Sequence, residues 1–121
     1  MCPIDNARHD ANFFARNIEV CSYSWNGAVN AYTSGNPSFK ITQFKSDRIL
    51  QWETDETVPF YFNDCCNYPR EGISARHGKG ATIGVMGGST ESMAVLKFNT
   101  EAALATFNRL WCNPENPATG H

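Results

Sequence analysis

Apolar and polar positions alternate with period two along much of residues 18–98. In 39–45, Phe39 and Ile41 share one face while Lys40 and Thr42 share the other; in 57–63, Val58, Phe60 and Phe62 alternate with Pro59, Tyr61 and Asn63. This is the repeat of half-buried strands. The pattern predicts seven strands, at 18–25, 28–33, 39–45, 48–54, 57–63, 81–86 and 93–98, with Phe60, Phe62 and Trp25 facing inward. Turn residues separate them: Asn26-Gly27 marks the strongest hairpin, and Gly35-Asn36-Pro37, Ser46-Asp47 and Gly87-Gly88-Ser89 mark further reversals. The period then changes. Ala103, Leu104, Phe107, Leu110 and Trp111 fall at helical spacing, with Asn99 or Thr100 as N-cap and Glu101 in the first turn. A closing helix is therefore predicted over 100–112, laying Leu104, Phe107 and Trp111 on the sheet, and Asn113-Pro114 ends it. Residues 1–17 are polar apart from Phe13 and Phe14 and read as an arm or a short helix starting near Asp5; 113–121 reads as a flexible tail. One β-rich domain, 18–112, lies between them.

The fold class is mainly β with one C-terminal α-helix, about seven antiparallel strands forming a barrel or a β-sandwich. The stretch 94–111, Ala-Val-Leu-Lys-Phe-Asn-Thr-Glu-Ala-Ala-Leu-Ala-Thr-Phe-Asn-Arg-Leu-Trp, resembles the last strand and closing helix of the pleckstrin-homology-like superfold, Ran-binding domains included. In those domains the strand ends in Phe, and the helix turns Phe, Leu and Trp onto the open end of a barrel. The resemblance covers about 18 residues and implies a peptide- or phosphoinositide-binding adaptor. That family's lipid binding uses Lys and Arg around the first hairpin, and residues 22–34 contain none. Peptide binding is the activity the resemblance leaves.

With 121 residues, 41% of them hydrophobic, the chain is one domain that can bury a real core. Ten basic against twelve acidic side chains, a net charge of −2, provide no excess of cations to displace counterions from nucleic acid, so no nucleic-acid partner is expected. No apolar run approaches the roughly 20 residues of a membrane-spanning helix, so no membrane partner is expected either.

The five cysteines, Cys2, Cys21, Cys65, Cys66 and Cys112, contain no C-x-x-C pair, and His9, His77 and His121 stand at no ligand spacing from them. No metal site is expected on that ground. Disulfides are the preferred use: adjacent Cys65 and Cys66 should reach different partners, with a terminal cysteine, Cys2 or Cys112, joined to one of them. No basic-then-apolar leader precedes Cys2-Pro3. A processed secreted chain carrying an added Met1 is preferred over a cytoplasmic one.

Motif chemistry is sparse. No H-E-x-x-H, G-x-S-x-G, Walker A or G-x-G-x-x-G pattern occurs. Gly78-Lys79-Gly80 precedes a predicted strand rather than a helix, so it cannot set a phosphate on a helix N-terminus. His77 could pair with Cys65 or Cys66 as nucleophile and base, or with Glu71 as in a small hydrolase or nuclease. Glu53, Asp55 and Glu56 match no calcium loop. No catalytic residues and no cofactor are assigned. Function is expected from surface recognition instead, on the long segment 64–80 with Tyr68, Arg70, Arg76, His77 and Lys79, joined by Tyr61, because loops of this length are usually functional or disordered. The first hairpin, around Tyr23, Asn26 and Tyr32, is the next surface in line. The expected activity is that of a non-enzymatic protein-binding domain, whose general build resembles the small secreted effectors of plant-pathogenic fungi. The alternatives are an intracellular peptide-binding adaptor, a carbohydrate-binding β-sandwich and a small His-dependent hydrolase or nuclease.

Overall fold

The computed structural model describes residues 1–8, 10–29 and 39–121. Two short helices, α1 (Pro3–Arg8) and α2 (Ala11–Phe14), open the chain, and the Asp10 carboxylate caps α2 by accepting from Phe13 N at 3.0 Å. The strands are β1 (Tyr23–Asn26), β2 (Ile49–Glu53), β3 (Cys66–Asn67), β4 (Gly80–Val85) and β5 (Thr90–Ala94), and α3 (Val95–Ala103) follows β5 directly. Five strands form one mixed sheet in the order β3-β1-β2-β4-β5. β3 pairs β1 in parallel, and the other neighbours are antiparallel.

The sheet buries one face because the apolar residues of β4 keep period two and a register shift in β2 brings Ile49 and Trp52, three residues apart, onto that face. Ala81, Ile83 and Val85 of β4 meet Ile49 and Trp52 of β2 and Met93 of β5. Helix α3 covers them with Phe98 and Ala102, one turn apart. The Phe98 ring packs edge-on against Trp52 at 5.2 Å between centroids. Leu110 closes the same core after the helix has ended. Two side chains stop α3: Trp111 Nε1 donates to the Ala102 carbonyl at 2.8 Å, and Asn108 Nδ2 donates to that of Glu101 at 3.1 Å. Both carbonyls lie in the last turn, where a helix leaves acceptors over, and that of Glu101 also accepts from Leu104 N at 3.2 Å.

Several expectations are corrected. The sheet has five strands among the described residues and does not close into a seven-stranded barrel or sandwich. The segments expected as strands at 39–45 and 57–63 contain the 3₁₀ turns Ile41–Gln43 and Pro59–Phe62. Proline at 59 removes a ladder donor and starts the turn, and it leaves Phe62 buried but Phe60 outside. The strand expected at 28–33 and the reversal at Gly35-Asn36-Pro37 fall largely outside the described residues. Asn26-Gly27 is a turn, but β1 pairs with β2 and β3 rather than with the residues that follow it. The closing helix lies earlier than 100–112, so Leu104 is exposed and Phe107 only half-buried, whereas Trp111 is buried. Trp25 is 48% exposed, since β1 turns Ser24 and Asn26 inward instead. Ser24 Oγ bonds Thr54 Oγ1 at 2.5 Å, and Asn26 Nδ2 donates to the Ile49 and Leu110 carbonyls at 2.8 and 2.9 Å. Tying strand to strand in this way satisfies polar groups that burial would otherwise leave costly.

Residues 113–121 fold back on the body: Asn113 N donates to Gly120 O at 2.9 Å, and the His121 ring stacks on Trp111 at 3.9 Å. Gly120 makes this possible, with a φ of +73° and its Cα against the Trp111 carbonyl, where a side chain would collide. No disulfide joins any of the five cysteines. The expected staple from a terminal cysteine to Cys65 or Cys66 does not form. Cys112 is buried, Cys2 lies beside His77, and the Cys65 thiol meets that of Cys21. No helix among the described residues is long and apolar enough to cross a membrane.

Candidate functional site

The 3₁₀ turn Pro69–Glu71 is held from both sides. Glu71 N donates to the Tyr68 carbonyl at 2.9 Å, and Tyr68 N donates to Glu71 Oε2 at 2.6 Å. Gly72, at φ +85°, reverses the chain beyond it in a conformation that favours glycine. The turn sends Arg70 outward between two grooves. One, of about 590 Å³, is lined by Tyr61, Pro69, Arg70, Asn99, Ala102 and Ala103. The other, of about 460 Å³, is lined by Tyr68, Arg70, Glu71, Trp111 and His121. The Tyr68 and Trp111 rings are 6.2 Å apart, and the Arg70 guanidinium lies 5.8 Å from the Trp111 centroid, within reach of a cation–π contact. Burial raises the Glu71 carboxyl pKa; the nearby Asp64 charge adds to this, against the opposing bond from Tyr68 N. Burial, with Cys66 and Glu71 nearby, likewise raises the Tyr68 phenol.

A second cluster lies where α1, the end of β2 and the turn before β4 converge. Cys2 Sγ is 3.6 Å from His77 Nε2, and His77 Nε2 is 3.1 Å from Glu53 Oε1. Glu53 is fully buried at the end of β2, opposite Tyr23 in the register, and its Oε2 accepts from Thr82 N at 2.7 Å. Burial alone would raise its pKa, but the bonds from Thr82, Cys2 and His77 and the charge of Arg76 hold it below the usual range. The Tyr23 hydroxyl is pushed up by burial and by facing Glu53 and Cys2.

Beside this cluster is a buried ion network. Asp5 accepts from Arg16 at 2.8 and 2.9 Å and from Ser22 Oγ at 2.8 Å, and Arg76 lies 3.2 Å away. The Arg16 guanidinium stacks on the Phe62 ring at 3.8 Å. Arg76 also donates to the Thr54 carbonyl and to Ser74 Oγ, and is only 6% exposed.

The residues expected on one recognition surface are thus divided. Tyr61, Tyr68 and Arg70 come together at the grooves. Arg76 is a buried structural cation, because it neutralises Asp5 and closes the segment 73–77 onto β2. His77 belongs to the second cluster, with Cys2 and Glu53 beside it rather than Cys65, Cys66 or Glu71, the pairings open on sequence. Lys79 is exposed in the turn leading to β4, where its carbonyl accepts from Val95 N. Trp111 and His121 were missed as groove residues, and Cys2 and Glu53 as partners of His77. Separations of 75 and 24 residues leave no local spacing to read.

No family model matches the chain, and comparison with curated proteins and with solved structures gives no match either, so the residues themselves carry the functional reading.

Proposed function

We propose that the chain is a non-enzymatic recognition domain that binds a protein partner through the two grooves flanking Arg70. One observation carries this reading. Tyr61, Tyr68 and Arg70, of the residue types that dominate binding hot spots, line adjoining concave surfaces around a turn fixed by its own hydrogen bonds, with buried Trp111 behind them. A rigid turn presenting an arginine between aromatic walls loses little conformational freedom on binding. The test is a photoreactive amino acid placed at position 70, 61 or 96, with the protein incubated in a protein extract and crosslinked. One partner captured from positions 61 and 70, but not from Leu96 on the outer side of α3, supports the reading. Capture from position 96 alone contradicts it.

The same proposal has the domain acting outside the cell, as a small secreted effector. Its support is the contact between the thiols of Cys21 and Cys65, two half-buried cysteines far apart in sequence. In oxidised glutathione the two thiols are expected to lose two protons and two electrons and join, the reagent being reduced to two glutathione thiols. Peptide mapping should then find Cys21 linked to Cys65, with Cys112 still alkylated only after unfolding, since it is fully buried, out of reach of the reagent. A map in which Cys21 and Cys65 remain thiols counts against the extracellular reading.

A further inference from the structure

We propose that Cys2, Glu53 and His77 bind one divalent transition-metal ion of the zinc class, leaving a fourth coordination position open to solvent. The three side chains offer one sulfur, one nitrogen and one oxygen, all within 4.8 Å of one another. A tetrahedral zinc ion, with bonds of about 2.3 Å to sulfur and 2.0–2.1 Å to nitrogen and oxygen, sets ligand-to-ligand edges of about 3.6 Å for S···N and 3.4 Å for N···O. The observed separations are 3.6 Å for Cys2 Sγ to His77 Nε2 and 3.1 Å for His77 Nε2 to Glu53 Oε1. Two edges thus match those of a bound ion, and the third, from Cys2 to Glu53, lies within 4.8 Å.

The arrangement differs from that of a thiol nucleophile with its base. A catalytic histidine takes the nucleophile's proton on one ring nitrogen and is oriented by a carboxylate on the other. Here both the thiol and the carboxylate address the same atom, Nε2. Three donors meeting at one point suit a cation at that point. Binding a divalent ion would displace the Cys2 thiol proton and set the ion against the Glu53 carboxylate, both on residues buried in the fold.

The surroundings hold the ligands as metal sites require. Glu53 is fixed through its other oxygen by Thr82 N, and the Cys2 backbone N donates to Ser22 Oγ at 2.9 Å. Cys2 and Glu53 are buried, while the His77 side chain is 35% exposed, so the ion enters past the imidazole and its fourth position faces solvent on that side. A mixed thiolate, imidazole and carboxylate set favours zinc, cobalt or nickel over magnesium or calcium, which take oxygen ligands.

The test uses the full chain, reduced, stripped with a chelator and titrated with Co²⁺ as the probe. A thiolate-to-cobalt charge-transfer band saturating at one equivalent, bleached by Zn²⁺, is the expected result. Cys2→Ser should abolish the band, and His77→Gln should weaken binding by more than about tenfold, the least effect usual even for second-shell changes. Cys21→Ser should leave the band intact. If Cys2→Ser melts below the parent without metal, His77→Gln, altering a partly exposed side chain, carries the test. The proposal is overturned by no cobalt band, by a band that survives Cys2→Ser, or by cobalt affinity unchanged in a folded His77→Gln. Failure of cobalt binding together with fast, His77-dependent alkylation of Cys2 would instead identify a thiol–imidazole nucleophile.

Discussion

Asp5→Ala is expected to destabilise the protein by about 3–5 kcal/mol, the range for removing one partner of a buried ion pair. The substitution leaves Arg16 and Arg76, both inside the fold, without their shared carboxylate, and takes an acceptor from Ser22. The loss is large because the stranded Arg16 guanidinium remains out of water, whereas Arg76 keeps Glu56 at 3.4 Å. Burial works to raise the Asp5 pKa, but the bonds from Arg16 and Ser22 and the charges of Arg76 and Arg16 outweigh it and leave the value lowered. A folded pKa below the unfolded one means the contribution is complete above the ordinary aspartate range, and is lost as pH falls through that range toward the folded value. Urea unfolding at pH 7 and at pH 3 checks both parts. The parent should lose stability toward pH 3, Asp5→Ala should be weak at pH 7, and the gap between the two should narrow in acid. A variant with the parent's midpoint at pH 7 would show that the network is not buried as described.

Phe98→Ala carries the second large effect, about 3–5 kcal/mol, as expected for a phenylalanine deleted from a closed core. Phe98 has no exposed surface and packs on Trp52, so truncation opens a cavity between α3 and the centre of the sheet. Phe107→Ala should cost distinctly less. Its ring is half-buried beyond the end of α3, with the Arg48 guanidinium 5.2 Å from its centroid. The pair of melts locates the helix. Had the closing helix run over 100–112, the order of the two effects would be reversed.

Elements with clear punctuation at their ends were legible in the sequence. β2 lies within its predicted span, β4 starts one residue before its own, and the turn at Gly87-Gly88-Ser89 joins β4 to β5 as predicted, with Val85 N donating to Ser89 O at 3.0 Å. The helix was misplaced because Val95, Leu96 and Phe98 fit a short strand as well as the first turn of a helix, and periodicity over four residues cannot separate the two. The side-chain bonds that stop α3 come from Asn108 and Trp111, distant enough that no capping signature shows. The inward turn of Ser24 and Asn26 was hidden for a related reason. Hydropathy ranks Trp25 and Tyr23 as core, and only the tertiary partners at Thr54, Ile49 and Leu110 show that the polar face is the buried one.

Of the candidate sites, the grooves were partly legible. Tyr68 and Arg70 stood out as contact-forming residues on a long segment, and Tyr61 as an exposed member of an alternating run. Arg76, a few residues along the same segment, could not be separated from Arg70 by type or spacing. What separates them is Asp5, brought in by α1 from the other end of the chain. The triangle of Cys2, Glu53 and His77 left no trace at all, since each residue comes from a different element and none belongs to a spaced motif.

The binding account rests on Arg70 and Tyr61, and the affinity of the crosslinked partner for the double variant Arg70→Ala/Tyr61→Ala tests it most directly. Arg70 is exposed and Tyr61 half-buried at the groove, so the variant should fold as the parent does. The account predicts a thermal melt close to the parent's and a Kd raised by about thirtyfold or more, the loss that marks a hot spot. A folded double variant that binds the partner as tightly as the parent would contradict it.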